Sequence, residues 1–169
     1  KLACENLLKI ANLTDHIDYT ILRFCAIVGP NTRFGAFKDL YEKVKGNQTV
    51  RAFGYMPGSK KNFLHVDDAA NCILYMIRNP DKCSEETFNV AGEGEVSIEK
   101  MINQIDEFVN PVGNKIKIEW NRLVSPTDNS LLIIDTDHIL RSTSWSPQHR
   151  TSRSAILAAI QDKYFQERK

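Results

Sequence analysis

The stretch NFLHVDDAANCILYMI, residues 62–77, combines a strand signal with a helix signal that follows it directly. Asn62 to Val66 is a short, mostly apolar run that predicts a brief strand. Asp67 and Asp68 come next, where carboxylates suit the positive end of a helix, so capping explains both without acid/base or metal chemistry. For His65 alone, the pattern favours a packed, hydrogen-bonded histidine over a catalytic one. The helix itself is indicated by apolar residues at helical spacing: Ala69, Ala70, Cys72, Ile73 and Ile77.

The same alternation of strand and helix signals continues in both directions. Helices are predicted at the chain start, up to Thr14-Asp15-His16, and within 37–45, 97–109, 136–141 and 152–165. Strands are predicted at 19–25, 50–53, 87–91 and 115–120, whereas 121–129 is irregular. Strands that alternate with helices of this length predict an α/β protein with a mostly parallel sheet.

Composition excludes several classes of protein. The 169 residues are 42% hydrophobic and 25% charged, enough for one globular domain or two small lobes. Twenty-two Lys plus Arg against twenty-one Asp plus Glu leave a net charge of +1, so we expect neither nucleic acid nor a membrane surface as partner. No apolar stretch approaches the ~18 residues of a membrane span and no signal peptide precedes the first helix, which predicts a soluble, cytoplasmic protein.

The cysteines and glycines give no site of their own. The four cysteines form no C-x-x-C pair, so we expect neither a disulfide nor a metal site. Gly92-Glu93-Gly94 has no third glycine, so it predicts a plain turn rather than a dinucleotide-binding loop. The helical pattern is already running at Lys1, from which we expect the chain to be part of something longer.

Five short motifs are weak signals singly, but their order along the chain is specific to one family. They are Lys1-Leu2-x-x-Glu5, Leu22-Arg23-Phe24 with Gly29-Pro30, Phe63-Leu64-His65-Val66-Asp67-Asp68-Ala69, Phe88-Asn89-Val90-x-Gly92 and Trp145-Ser146-Pro147. Together they resemble the extended short-chain dehydrogenase/reductase family, the NAD-dependent epimerases and dehydratases of the UDP-galactose 4-epimerase type. The resemblance covers nearly the whole chain. It implies that this chain corresponds only to the C-terminal half of such an enzyme.

The resemblance implies an α/β fold: the C-terminal part of a Rossmann-type, doubly wound parallel sheet plus a smaller, mixed α/β substrate-binding lobe. Residues 1–30 and about 62–91 would complete the NAD-binding domain. Residues from about 31 to 61 and 92 to 169 would form the substrate lobe, with the substrate in the crevice between them. Members of this family often dimerise through the opening helix, so a homodimer is expected.

The resemblance also assigns the cofactor side of the site. In this family a Tyr-x-x-x-Lys pair precedes a helix, and an arginine follows the lysine by just over twenty residues, as Arg23 follows Lys1. Lys1 would then be the catalytic lysine, which holds the ribose of NAD or NADP and lowers the pKa of an upstream tyrosine. An ordinary exposed lysine at the end of a fragment stays an alternative for Lys1. Phe24, Cys25 and Ala26 would lie against the nicotinamide.

The substrate side departs from the family in several places. Arg51 and Phe53 match positions that contact the nucleobase, although Phe53 could equally be ordinary core. Lys61 and Arg122 match the two diphosphate-binding arginines, but Lys61 lacks the two-pronged guanidinium. Ala26 stands where nucleotide-sugar enzymes usually have Asn, and Ser125 stands where they have an acid.

Three functions remain open from the sequence. The first is an NAD(P)-dependent epimerase or dehydratase that acts on a nucleotide sugar by taking a hydride from a sugar carbon onto the cofactor and returning it, with this chain inactive alone. The second is a non-catalytic fragment or degenerate homologue that serves as a binding module. The third, favoured by Ala26 and Lys61, is a reductase of another carbonyl substrate on the same scaffold.

Overall fold

The computed structural model of the chain describes residues 1–46, 49–52, 59–112, 115–120 and 133–167. Seven helices and eight strands lie in these ranges. The helices are α1 (Leu2–Asp15), α2 (Ala36–Lys45), α3 (Val66–Arg78), α4 (Pro80–Cys83), α5 (Ile98–Val109), α6 (Asp137–Ser142) and α7 (Ser152–Gln166). The strands are β1 (Thr20–Phe24), β2 (Ala26–Val28), β3 (Val50–Ala52), β4 (Lys60–Lys61), β5 (Phe63–His65), β6 (Glu86–Val90), β7 (Val96–Ser97) and β8 (Ile118–Trp120). No helix among the described residues is long and apolar enough to cross a membrane.

Parallel pairing dominates the strands, as the sequence predicts. β1 pairs with β6, β2 with β5 and β3 with β8, all in parallel, whereas the short β4 and β7 pair antiparallel. β2 was not predicted from the sequence, which indicated a single strand that ended at Cys25. After that residue the chain leaves β6 and continues as β2 beside β5. Cys25 N donates to Val90 O at 3.0 Å, and Gly92 N donates to Phe63 O at 3.1 Å, so backbone bonds join the two ladders.

The strand β5 separates two hydrophobic cores. Phe63 belongs to a core formed with α2, α5 and α7, where Tyr41 and Ile156 are fully buried. The next residue, Leu64, belongs to a second core with α3 and β6, which includes Phe88. Successive side chains of a strand point to opposite faces, so the apolar run predicted as a strand serves both cores at once.

The entry to α3 differs from the sequence prediction in one respect. The residue that caps this helix is His65, whose Nδ1 accepts a hydrogen bond from Asp67 N at 3.4 Å. The buried carboxylate of Asp68 instead accepts hydrogen bonds from Gln148 N at 2.7 Å and His149 N at 3.0 Å. The capping role predicted for Asp68 is therefore wrong: this side chain fastens the loop before α7 to α3. Sequence spacing could not reveal a partner 80 residues away.

His65 is a packed histidine, as the pattern favoured. Its side chain is 1% exposed, and its ring meets the ring of His149 edge-on at 4.6 Å between centroids. Its Nε2 makes no hydrogen bond among the described residues, although Asp162 Oδ2 lies 3.5 Å away. Packing and the bond to Asp67 account for its position.

Three backbone segments approach one another closely at Gly92. A Cβ on this residue would stand 2.5 Å from Phe63 O and 2.8 Å from Ser152 N. Ser152 Oγ donates to Gly92 O at 3.1 Å and accepts from Phe63 N at 2.9 Å, so one hydroxyl bonds both segments. Asn62 Nδ2 also donates to Gly92 O, at 3.1 Å. The glycine is therefore required for close approach between β5 and α7.

We predict that Gly92→Ala destabilises the fold by about 1–3 kcal/mol, because the added methyl group overlaps backbone atoms that cannot move independently. Gly94→Ala is the matched control. Gly94 has φ +67° but open space around it, so its substitution should cost only about 1 kcal/mol of backbone strain. Urea unfolding of both variants measures the difference. Equal losses would show that backbone conformation, and not close approach, governs both glycines.

Candidate functional site

The candidate site lies where the two parallel ladders meet. Phe24 ends β1, Cys25 forms the junction and Ala26 begins β2, so three of the residues assigned to the cofactor stand at the carboxyl end of β1. In open parallel sheets, ligands bind in the crevice beyond the carboxyl ends of strands, at the point where the strand order switches. Phe24 and Cys25 pack against the second core, whereas Ala26 is exposed.

A cleft of about 310 Å³ opens beside this junction. Ala26 and Lys61 both line it, so the structure brings together one residue assigned to the cofactor and one assigned to the substrate. A second cleft, of about 640 Å³, adjoins it through the shared residues Ile27, Thr32 and Phe34. The side chain of Phe34 is 86% exposed, so a large apolar group stands between the clefts and faces solvent.

Sequence reasoning missed Thr32, Phe34 and Phe37 as residues of this cleft. Phe37 was identified only as the apolar face of α2, and it is buried in the first core as expected. The signal that could have found the other two is their place after Gly29-Pro30, in the loop that the resemblance assigns to nicotinamide and substrate.

The thiol of Cys25 is kept neutral by its surroundings. Burial raises its pKa to about 12, and the backbone hydrogen bond at Gly92 only partly offsets this effect. Burial likewise raises the pKa of Cys72 to about 12. All four cysteines are free, and a neutral, half-buried thiol is a poor nucleophile. Cys25 can therefore supply an uncharged wall to the site, but not covalent chemistry.

Contacts of α1 indicate where Lys1 stands. Near the start of this helix, Glu5 binds Arg23 of β1, with Arg23 Nε donating to Glu5 Oε1 at 3.0 Å. Near its end, Asn12 Nδ2 donates to Glu85 Oε1 at 3.3 Å, next to the start of β6. The helix therefore runs antiparallel to β1 and β6. Its first residue lies on the same side of the sheet edge as Phe24, where Lys1 is exposed.

Of the other residues assigned to substrate binding, one lies away from this cleft and two lie outside the described residues. Arg51 is exposed on β3, and its Nε lies 3.4 Å from Glu119 Oε2 across the pair with β8. Two hydrogen bonds, a larger effect from Lys117 and a smaller one from Arg51, hold the pKa of Glu119 below its ordinary value. Arg51 is not among the described residues that line the cleft at Ala26. Phe53 and Arg122, together with Ser125, lie outside the described residues.

A search for metal sites gives no candidate. Within the described ranges, no group of three or more His, Cys, Asp or Glu side chains is arranged to hold a metal ion. One pair of opposite charges lies close to the cleft. Lys60 Nζ lies 2.9 Å from Glu95 Oε1 where β4 meets β7.

Parallel strand ladders that meet beside an open cleft, with helices packed against them, define a Rossmann-like α/β fold. The model of the NAD dependent epimerase/dehydratase family matches residues 1–91, and the chain belongs to this family. The match includes the junction at Cys25 and the segment from Asn62 to Ala69.

One curated relative is UDP-D-apiose/UDP-D-xylose synthase 1 of Arabidopsis thaliana. It is 27% identical over 129 residues, which cover 60% of this chain and 32% of the relative. The chain therefore spans about a third of the length of that protein.

Solved structures share the fold over essentially the whole chain. UDP-glucose 4-epimerase of Thermotoga maritima with UDP-glucose superposes with a TM-score of 0.80 at 16% identity, covering 100% of this chain and 53% of the other. UDP-glucuronic acid 4-epimerase of Bacillus cereus, in complex with UDP-glucuronic acid and NAD, gives a TM-score of 0.80 at 21% identity, covering 99% and 51%. At these identities the likeness establishes the fold, and the chain spans about half the length of both proteins.

The burial of Cys25 predicts slow alkylation. With N-ethylmaleimide at pH 8, the exposed Cys4 should react at least ~100-fold faster than Cys25 or Cys72, because a thiol of pKa about 12 forms almost no thiolate there. Peptide mass spectrometry over a time course measures the rates, with a urea-unfolded sample as control. Equal native rates for Cys4 and Cys25 would contradict the burial of the junction.

Proposed function

We propose that this chain is the C-terminal part of an NAD(P)-dependent nucleotide-sugar epimerase or dehydratase. The observation that carries the proposal is the meeting of Ala26 and Lys61 in one cleft at the ladder junction. A cofactor position and a substrate position must be adjacent for hydride transfer between them. Family membership and a length about half that of the matched structures support the same conclusion.

The residues at the junction fit the nicotinamide end of NAD. Phe24, Cys25 and Ala26 carry no charge; Ala26 lines the open cleft, and the other two pack against the second core directly before it. NAD, when bound, supplies the acceptor for the hydride of the sugar carbon. A flat ring can lie against such an uncharged wall, while the exposed Lys1 is available on the same side of the sheet edge for ribose hydroxyls.

Lys1 has a second role in this proposal. Its ammonium group favours the ionised form of a nearby phenol, so it lowers the pKa of a tyrosine that would precede it in the complete protein. That tyrosine is then able to accept a proton from the sugar hydroxyl near neutral pH. Lys1 thus positions the ribose and prepares the base.

Cations of this chain would bind the diphosphate of the substrate. Lys61 lines the cleft and presents a point charge instead of the two-pronged guanidinium. Arg51 is bound to Glu119, but both side chains are substantially exposed, so this ion pair is weak enough to exchange for a phosphate. Arg122 is proposed as a third cation, and Phe53 as a contact of the nucleobase, both from the resemblance.

The two cores support the proposed division into domains in outline. Residues from 64 to 90 dominate the second core, which fits a NAD-binding domain formed by residues 1–30 and about 62–91. Residues of α2, α5 and α7 dominate the first core, which fits a substrate lobe formed by 31–61 and 92–169. A cytoplasmic location is part of the proposal, and four free thiols suit a reducing compartment.

A reductase of another carbonyl compound is the second candidate. Ala26 is the observation that favours it, because its methyl group offers no hydrogen bond to a sugar at the cleft. Binding assays separate the two functions. The epimerase or dehydratase requires a response to UDP-, dTDP- or GDP-sugars, whereas a response to NADP without any to these sugars supports the reductase.

In the complete protein, Lys1→Ala should lower kcat about 100-fold and weaken NAD binding, because both the ribose contact and the charge beside the tyrosine are lost. Arg122→Ala should mainly raise KM, about 10-fold or more, since a charge-assisted bond to the substrate disappears. Steady-state kinetics and NAD titration measure both effects. Lys9→Ala, also exposed on α1, is the control and should change neither.

The outcomes separate the interpretations. Unchanged turnover in Lys1→Ala would contradict the assignment of Lys1 and leave it an ordinary surface lysine. Equal affinity for a nucleotide sugar and its bare sugar would remove the diphosphate role of Lys61 and Arg122. No binding of NAD by the complete protein would favour a non-catalytic binding module.

The homodimer proposal rests on α1. This helix buries none of its residues, and Leu7 and Ile10, which are 65% and 55% exposed, lie opposite the side that holds Glu5 and Asn12. An apolar face of this kind suits a partner surface. In the complete protein, Leu7→Glu should convert a dimer to a monomer in analytical ultracentrifugation, whereas Gln161→Glu on α7 should not. A Leu7→Glu protein that stays dimeric would contradict an interface through α1.

A further inference from the structure

A separate cleft lies between α5 and α7, with no lining residue in common with the clefts at Ala26. Its volume of about 330 Å³ is at the lower end of the range for small-molecule sites. It is lined by Lys100, Asn103 and Gln104 of α5, by Arg153 of α7, and by Glu95 and Glu107. The proposed function uses none of these residues.

Gln104 is the unusual residue of this cleft. Its side chain lies at the edge of the buried, mostly apolar face of α5, and the residue is only 8% exposed. Neither the amide nitrogen nor the amide oxygen has a hydrogen-bond partner among the described residues. Burying an unpaired donor or acceptor costs about 1–3 kcal/mol, so almost all such groups in proteins are satisfied. A partner from outside the chain would remove this cost.

The charges around the cleft favour an anion at one end. Lys100 lies in the first turn of α5 and Arg153 in the first turn of α7, where the positive ends of both helix dipoles add to their charge. Both side chains are exposed, and neither forms an ion pair within the described part of the chain.

Two carboxylates also line the cleft, and their positions limit their effect. Glu95 is bound to Lys60 at 2.9 Å, and this hydrogen bond holds its pKa below the ordinary value. Its charge is therefore already matched. Glu107 lies towards the other end, because it also lines a neighbouring cleft with Asp106 and Lys115. An anion beside Lys100 and Arg153 thus meets net positive charge.

We propose that this cleft binds a small anion that also presents a hydrogen-bond donor next to an acceptor. A nucleoside monophosphate has this chemistry, with a phosphate for Lys100 and Arg153 and a base edge for Gln104. An amide side chain can donate and accept at once, which is how glutamine binds the edge of adenine. Both polar atoms of Gln104 are shielded, so binding requires its amide to turn towards the cleft.

The test is calorimetric titration of the complete protein, saturated with NAD and UDP so that the cleft at Ala26 is occupied. The probes are AMP, inorganic phosphate and adenosine. AMP should bind at least ~10-fold more tightly than either of its parts, because only AMP satisfies both ends of the cleft. Gln104→Leu should remove this advantage without unfolding the protein, since leucine suits the apolar helix face. Gln161→Leu, at an exposed position of α7, is the matched control and should bind AMP as the unsubstituted protein does.

Arg153→Gln gives an independent check, because it removes one cation and leaves the amide. It should weaken the binding of AMP and of phosphate by a similar factor. Three results would overturn the proposal: no AMP binding at millimolar concentration, AMP binding that is unchanged in both Gln104→Leu and Arg153→Gln, or phosphate that binds as tightly as AMP.

Discussion

The contact on which the rest of the structure depends is the close approach of Gly92 to β5. Its amide bonds Phe63, and the hydroxyl of Ser152 bonds both Gly92 and Phe63, so three distant segments meet at backbone distance. No side chain fits between them. The β1–β6 ladder is thereby held beside the β2–β5 ladder, and the first turn of α7 is fixed against both. The cleft at Ala26 owes its position to this junction.

The sequence predicts the elements well where local pattern decides them. The strand at Asn62 to Val66 and the helix after it are confirmed, as are the parallel sheet and the helix that Ser97 caps, with its Oγ accepting from Lys100 N at 3.1 Å. These features depend on periodicity and on capping residues a few positions apart. β2 was not predicted, because Ala26–Val28 is a short run whose strand character comes from its partner β5.

Prediction failed where a residue's role is set by a distant partner. Asp68 stands in the position of a capping residue, yet its hydrogen bonds go to the loop before α7. Gln104 fits the helical pattern of α5, and only the fold shows that its amide is buried without a partner. At the site, Ala26 and Lys61, which the resemblance assigned separately to cofactor and substrate, line one cleft, but no local pattern could show that Phe34 stands exposed beside them.

The arrangement of β5 between two cores has a consequence for how the chain unfolds. Phe63 and Leu64 are adjacent along the backbone but belong to different cores, so neither core can lose this strand while the other keeps its packing. The two cores are therefore expected to melt together, as one cooperative unit. A shift of the strand by a single position would also exchange the side chains given to each core. Length changes within this segment should thus be far less tolerated during evolution than changes in the loops around it.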